Sequence, residues 1–90
     1  MEWTNRHGYY RTSIGVLRLL VYYENGGYLV EVSLGQAKRR YMRYIATLEE
    51  GKRIAIICAM HWLDELRRSI ELDYQLAIEN QKPFDETGET

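Results

Sequence analysis

Apolar and polar residues alternate through the first half of the chain, and after residue 47 the spacing changes to that of a helix. In "GVLRLLVYYENGGYLVEVSL" two runs rich in Val, Leu and Tyr flank Asn-Gly-Gly. Asn-Gly is a strong hairpin signal because both central residues of the tight turn must accept positive φ. Strands are therefore predicted at 16–24 and 28–34. In the second, Tyr28, Val30, Val32 and Leu34 share a face opposite Leu29, Glu31 and Ser33. In the first, Leu17, Leu19, Val21 and Tyr23 lie opposite Val16, Arg18, Leu20 and Tyr22. Residues 39–46, "RRYMRYIA", read as a further strand, aromatic and basic by turns, and residues 9–12 as another that turns at 13–15.

Thr47 opens a capping box with Glu50, and the segment from 48 to about 80 reads as one helix ended by Pro83. Gly51 is poor in a helix, by about 1 kcal/mol against alanine. It either permits close backbone approach to a strand or has no structural role. At 100° per residue, Ile56, Ala59, Met60, Leu63, Leu66, Ile70, Tyr74, Ala77 and Ile78 fall on one stripe. Ile54, Ile57, Cys58 and Trp62 add apolar material off that stripe in the first half, which is expected to pack around Trp3 or join the same interface. The fold expected is α+β: three or four antiparallel strands, then one long helix, forming a single domain over 1–82 with an acidic flexible tail at 83–90.

The lengths do not match. A strand of six or seven residues spans about 20 Å, while Leu48 to Asn80 rises about 50 Å as a helix. The sheet reaches roughly half of it. Burial of each large apolar side chain beyond that point is worth about 1.5–3 kcal/mol, so the helix is expected to meet a partner. The first expectation is a second copy, through Leu63, Leu66, Ile70, Tyr74 and Ile78; the alternative is a foreign protein.

Composition adds charge asymmetry. Net charge is −1, but residues 1–46 carry seven Lys/Arg against three Asp/Glu, and residues 47–90 carry five against ten. A basic half and an acidic half can pair within or between chains. The single cysteine excludes an internal disulfide and fits a reducing compartment. The longest apolar run, 54–60, is too short to span a bilayer. The start of the chain has neither the basic nor the apolar region of a signal peptide. A soluble cytoplasmic protein is the expectation.

Candidate chemistry is sparse. Cys58, His61 and Glu65 are helically spaced but lack the further ligands a zinc site requires. No phosphate-cradling glycine pattern is present. A non-enzymatic protein with no cofactor or metal is expected. Arg18, Tyr22, Arg39, Arg40, Tyr41 and Arg43 interleave cations with aromatic rings, as sheets that bind single-stranded nucleic acid do, and are taken as a face for a partner protein or for nucleic acid. The acidic helix argues against a strong positive field.

A tryptophan near the start, a "GYY" strand, the hairpin "LLVYYENGGYLVEV", a further strand and a helix opening "TLEEGKRIA" together resemble small accessory proteins of bacteriophages and prophages over residues 3–63. Some of these are counter-defence factors, including anti-CRISPR proteins. The resemblance implies an inhibitor that binds and blocks a larger host protein or ribonucleoprotein. It carries over no site residue.

Overall fold

The computed structural model describes the backbone of residues 1–89 and the side chains of residues 1–41 and 43–79. Five strands, β1 (Thr4–Arg6), β2 (Tyr9–Ile14), β3 (Leu17–Glu24), β4 (Gly27–Leu34) and β5 (Ala37–Ile45), form an antiparallel meander in chain order. One helix, α1 (Leu48–Glu89), follows. This is the α+β architecture expected, with one strand more. Short two-residue turns join the strands. His7-Gly8 (φ 53 and 84) and Asn25-Gly26 (φ 52 and 85) both place two positive-φ residues in the turn, the geometry that matches the right-handed twist of a hairpin. The Asn25-Gly26 turn is the one legible in sequence. The His7-Gly8 turn is held by the Gly8 N–H donating to Asn5 Oδ1 at 3.0 Å, and it adds β1. Thr12 Oγ1 donates to the Glu2 carbonyl at 2.6 Å, fastening the chain ahead of β1.

Register sorts the sheet into two faces. The inner face presents Leu17, Leu19 and Val21 of β3, Val30 and Val32 of β4, and Ile45 of β5, all essentially buried. In β5 three residues separate Tyr41 from Ile45, opposite a single residue between Tyr28 and Val30. This bulge keeps both Tyr41 and Ile45 on the inner face.

Helix α1 closes that face with small side chains. Gly51, Ala55 and Ala59 are buried at four-residue spacing, and Trp62 completes the contact. A Cβ on Gly51 would stand 2.9 Å from Val21 Cγ1, so glycine is what lets the helix axis approach the strands. Thr47 caps the helix, its Oγ1 accepting from the Glu50 N–H at 3.2 Å. Trp62 was expected off the packed stripe, yet it is buried in the core and its ring lies under the Arg39 guanidinium at 4.3 Å. Trp3 packs on the core from the other flank, with the Lys52 ammonium 5.6 Å from its ring centroid.

The helix runs lengthwise along the strands. Its first turns touch Val21, Tyr28 and Ile45, near the Asn25-Gly26 turn. Three to four turns later, Trp62 and Glu65 meet Arg39, near the Gly35-Gln36 turn. Leu63 and Leu66 are the last residues packed on the core. From Arg67 to Glu79 every side chain is exposed. The helix continues as backbone to Glu89, past the expected stop before Pro83. Proline there removes the one hydrogen bond to the Glu79 carbonyl, at a cost of about 3 kcal/mol, and this helix bears that loss without unwinding. The acidic side chains of the expected tail lie outside the described residues. The resulting molecule measures 68 × 23 × 20 Å.

Candidate interaction surfaces

The overhang of α1 is the most distinctive surface. Ile70 and Tyr74 are 67% and 66% exposed, and Leu72, Leu76 and Ile78 are also exposed. The helix has no break after Ser69, so none of its own elements folds back over these side chains. Two of the five residues expected in the interface stand elsewhere: Leu63 and Leu66 are half-buried against the protein's own core. The sheet reaches one turn further along the helix than strands of six or seven residues would, because β3 and β4 have eight residues each and β5 has nine. Ile70, Tyr74 and Ile78 remain as the bare part of the stripe.

Local ion pairs stiffen the point of departure. Arg67 bonds to Asp64 Oδ1 at 3.0 Å and to Glu71 Oε2 at 3.5 Å, and Arg68 reaches Asp64 Oδ2 at 3.0 Å. Arg39 Nη1 donates to Glu65 Oε1 at 2.8 Å and ties β5 to the helix. The hydrogen bond from Arg67 holds the Asp64 carboxyl below its ordinary pKa, and that from Arg39 does the same for Glu65. Depressed carboxylate pKa values stabilise the fold above the unfolded-chain value, near 4, and that contribution is lost as pH falls through the folded value. The thermal midpoint is therefore expected to be level above about pH 5 and to fall below about pH 4. Glu65→Gln should lower the midpoint at pH 7 and flatten part of the acid limb, as read by circular dichroism melts; an unchanged acid limb would contradict this assignment.

The six residues expected to share one Tyr/Arg face do not. Arg18, Tyr22 and Arg40 are on the outer face of the sheet, while register places Arg39 and Tyr41 on the inner face beside the helix. The cause is period two: Arg39 and Arg40 are neighbours in sequence and so point to opposite sides. Arg43 is exposed within the bulge. Both Arg39 and Arg40 are engaged, Arg39 as above and Arg40 Nε with Glu31 Oε1 at 2.7 Å.

The outer face itself holds three cross-strand rows. Tyr9, Tyr22 and Leu29 form one, with the Tyr9 and Tyr22 rings stacked at 5.1 Å. Burial, and then the nearby Glu31 carboxylate, push the Tyr22 phenol above its ordinary pKa. Arg11, Leu20, Glu31 and Arg40 form the second, and Ser13, Arg18, Ser33 and Lys38 the third. Arg11, Leu20 and Glu31 of the second row and all of the third row line an open groove of about 610 Å³, bordered by Glu2 and Thr4. The signal for this face is present in the sequence: Lys38 and Arg40 stand two apart in β5, so period two puts both on the outer side.

Cys58 is half-buried, and burial raises its thiol pKa, which lowers the thiolate fraction. Among the described residues no cluster of three or more His, Cys, Asp or Glu could hold a metal ion. Among the described residues no helix is long and apolar enough to cross a membrane. Comparison with protein-family models, with curated proteins and with solved structures yields no match for this chain.

Proposed function

We propose that the protein is a non-enzymatic interaction module that works as a homodimer and occupies a surface of a larger partner. The observation that carries this reading is the bare apolar overhang of α1, with Ile70 and Tyr74 each about two-thirds exposed. Side chains of that size gain about 1.5–3 kcal/mol each on burial, and a lone copy leaves the gain unclaimed. The larger partner is read from the resemblance to phage accessory proteins, as a host protein or ribonucleoprotein that the bound dimer blocks. Multi-angle light scattering of the purified full chain tests the dimer. A mass of twice 10.7 kDa supports it; a monomer with full helical content transfers the stripe to a foreign protein.

A second reading, nucleic-acid binding, draws on exposed Arg11, Arg18 and Lys38 along the outer groove beside the Tyr9–Tyr22 stack. It loses Arg39 and Arg40 to ion pairs. Phosphate recognition would make affinity fall steeply with salt. Fluorescence anisotropy at low salt, with single- and double-stranded oligonucleotides, is expected to show no binding; a steep salt slope would reinstate this reading.

A further inference from the structure

Resting on the homodimer reading, we infer which surface of the second copy covers the overhang: its outer sheet face, so that each α1 spans its own sheet from the inside and the other copy's sheet from the outside. Two antiparallel helices would then enclose two sheets lying end to end in one layer. The two-fold operation that relates the copies makes the two contacts identical.

Length is the first support. The eight-residue strands β3 and β4 span about 26 Å. The helix from Leu48 to Leu66 rises about 28 Å and covers them, and from Arg67 to Glu89 it rises about another 34 Å. The overhang is thus long enough to cross a second sheet of the same length after a short gap. It leaves the first sheet past the turn between β4 and β5, along the strands and not across an edge. Strand β5, the long edge strand, carries Lys38, Arg39, Arg40 and Arg43, and cations on an exposed edge oppose pairing between sheets.

Charge is the second support. The line of α1 that meets its own sheet, Ala55, Ala59, Trp62 and Leu66, continues by helical spacing through Ile70, Asp73 and Ala77. Asp73 therefore interrupts an otherwise apolar line on the side where the second sheet would lie. The first row that an incoming overhang meets is the one nearest the turn ends, Ser13, Arg18, Ser33 and Lys38. Asp73 falls opposite Arg18 and Lys38, and Ala77 opposite Leu20 in the next row. From Ser69 to Glu79 the overhang carries Glu71, Asp73 and Glu79 and no cation, and Arg67 and Arg68 are already paired within their own helix. Two overhangs packed on each other would oppose like charges.

Area is the third. A helix lying about 30 Å along a surface with a footprint about 10 Å wide removes about 600 Å² from water, counting both sides. Two reciprocal helix-on-sheet contacts give about 1,200 Å², within the range of stable interfaces, whereas one helix-on-helix contact between overhangs gives half of that.

The test uses the full chain with Cys58→Ser and a cysteine at Ala77 and Leu20, oxidised under dilute conditions, alongside a Tyr74→Cys control. A disulfide-linked dimer from Ala77→Cys with Leu20→Cys, and none from Tyr74→Cys, supports the arrangement. In parallel, Arg18→Glu with Lys38→Glu should weaken the dimer about a hundredfold, and adding Asp73→Arg should restore it, as read by sedimentation. A dimer that ignores the charge changes and cross-links through Tyr74→Cys overturns this arrangement and leaves the homodimer standing. A monomeric wild type overturns both.

Discussion

If the protein is the homodimer proposed, Ile70→Asp with Tyr74→Asp is expected to yield a 10.7 kDa monomer while the thermal midpoint of the sheet and the helical signal up to Leu66 persist. Both side chains are about two-thirds exposed in the single chain, so aspartate there disturbs no intrachain contact. In the proposed homodimer Ile70→Asp forfeits about 1.5–3 kcal/mol of burial on the line that faces the second sheet, Tyr74→Asp forfeits a smaller share on its flank, and each brings a carboxylate into the contact. Two-fold symmetry applies every loss twice, which exceeds what an interface of standard size can spare. Leu63→Asp and Leu66→Asp form the contrasting pair. These residues pack on the protein's own core, so their replacement should unfold the chain before it dissociates anything. Sedimentation velocity combined with circular dichroism separates the two outcomes, and an Ile70/Tyr74 variant that remains dimeric would place the interface elsewhere.

Gly51→Leu is expected to cost about 3 kcal/mol, near the upper end for overpacking a tight core. The first added carbon already falls 2.9 Å from Val21 Cγ1 and 3.7 and 3.8 Å from Tyr28 Cβ and Ile45 Cγ2, and three further carbons have no room between helix and sheet. For a domain of this size the midpoint should drop by roughly 15 °C. Val21→Ala in the same chain removes the nearest obstacle and should recover part of the loss, although alone it is destabilising. This non-additivity is the signature of direct contact. Equal and additive effects would mean that helix and strand are further apart than described.

The Asn25-Gly26 hairpin, the alternation in β3 and β4, the cap at Thr47 and the excess length of α1 all follow from local rules, and all were legible in the sequence. The β1–β2 hairpin was not, because His7-Gly8 lacks the usual Asn or Asp lead and depends on the Gly8 N–H donating to the Asn5 side chain, which no propensity encodes. Gly51 was ambiguous from sequence, since close approach is a tertiary property, and the distance to Val21 now resolves it. Trp62 was misplaced for a related reason: Arg39 reaches over its ring from a strand distant in sequence, so a residue at the rim of the apolar stripe becomes core. The candidate surface divided likewise. Ile70, Tyr74 and Ile78 were readable from the mismatch between rise per residue in helix and strand. The end of coverage after Leu66 was not, because it depends on where along the strands the helix begins, close to the Asn25-Gly26 turn, which is a tertiary property. The split of the six-residue Tyr/Arg face follows from period two alone, since Arg39 and Tyr41 alternate with Arg40; only the placement of Arg43 depends on the bulge in β5.

Hydrogen–deuterium exchange of the amides from Ile70 to Ile78, followed across protein concentration, probes most directly whether a second copy covers the overhang. A solitary helix end with no packed face frays and exchanges quickly, whereas a buried one opens only when the assembly does. Protection at high concentration that fades on dilution, while Ala55 to Trp62 stay protected throughout, is the result expected here. Rapid exchange of Ile70 to Ile78 at every concentration would contradict it.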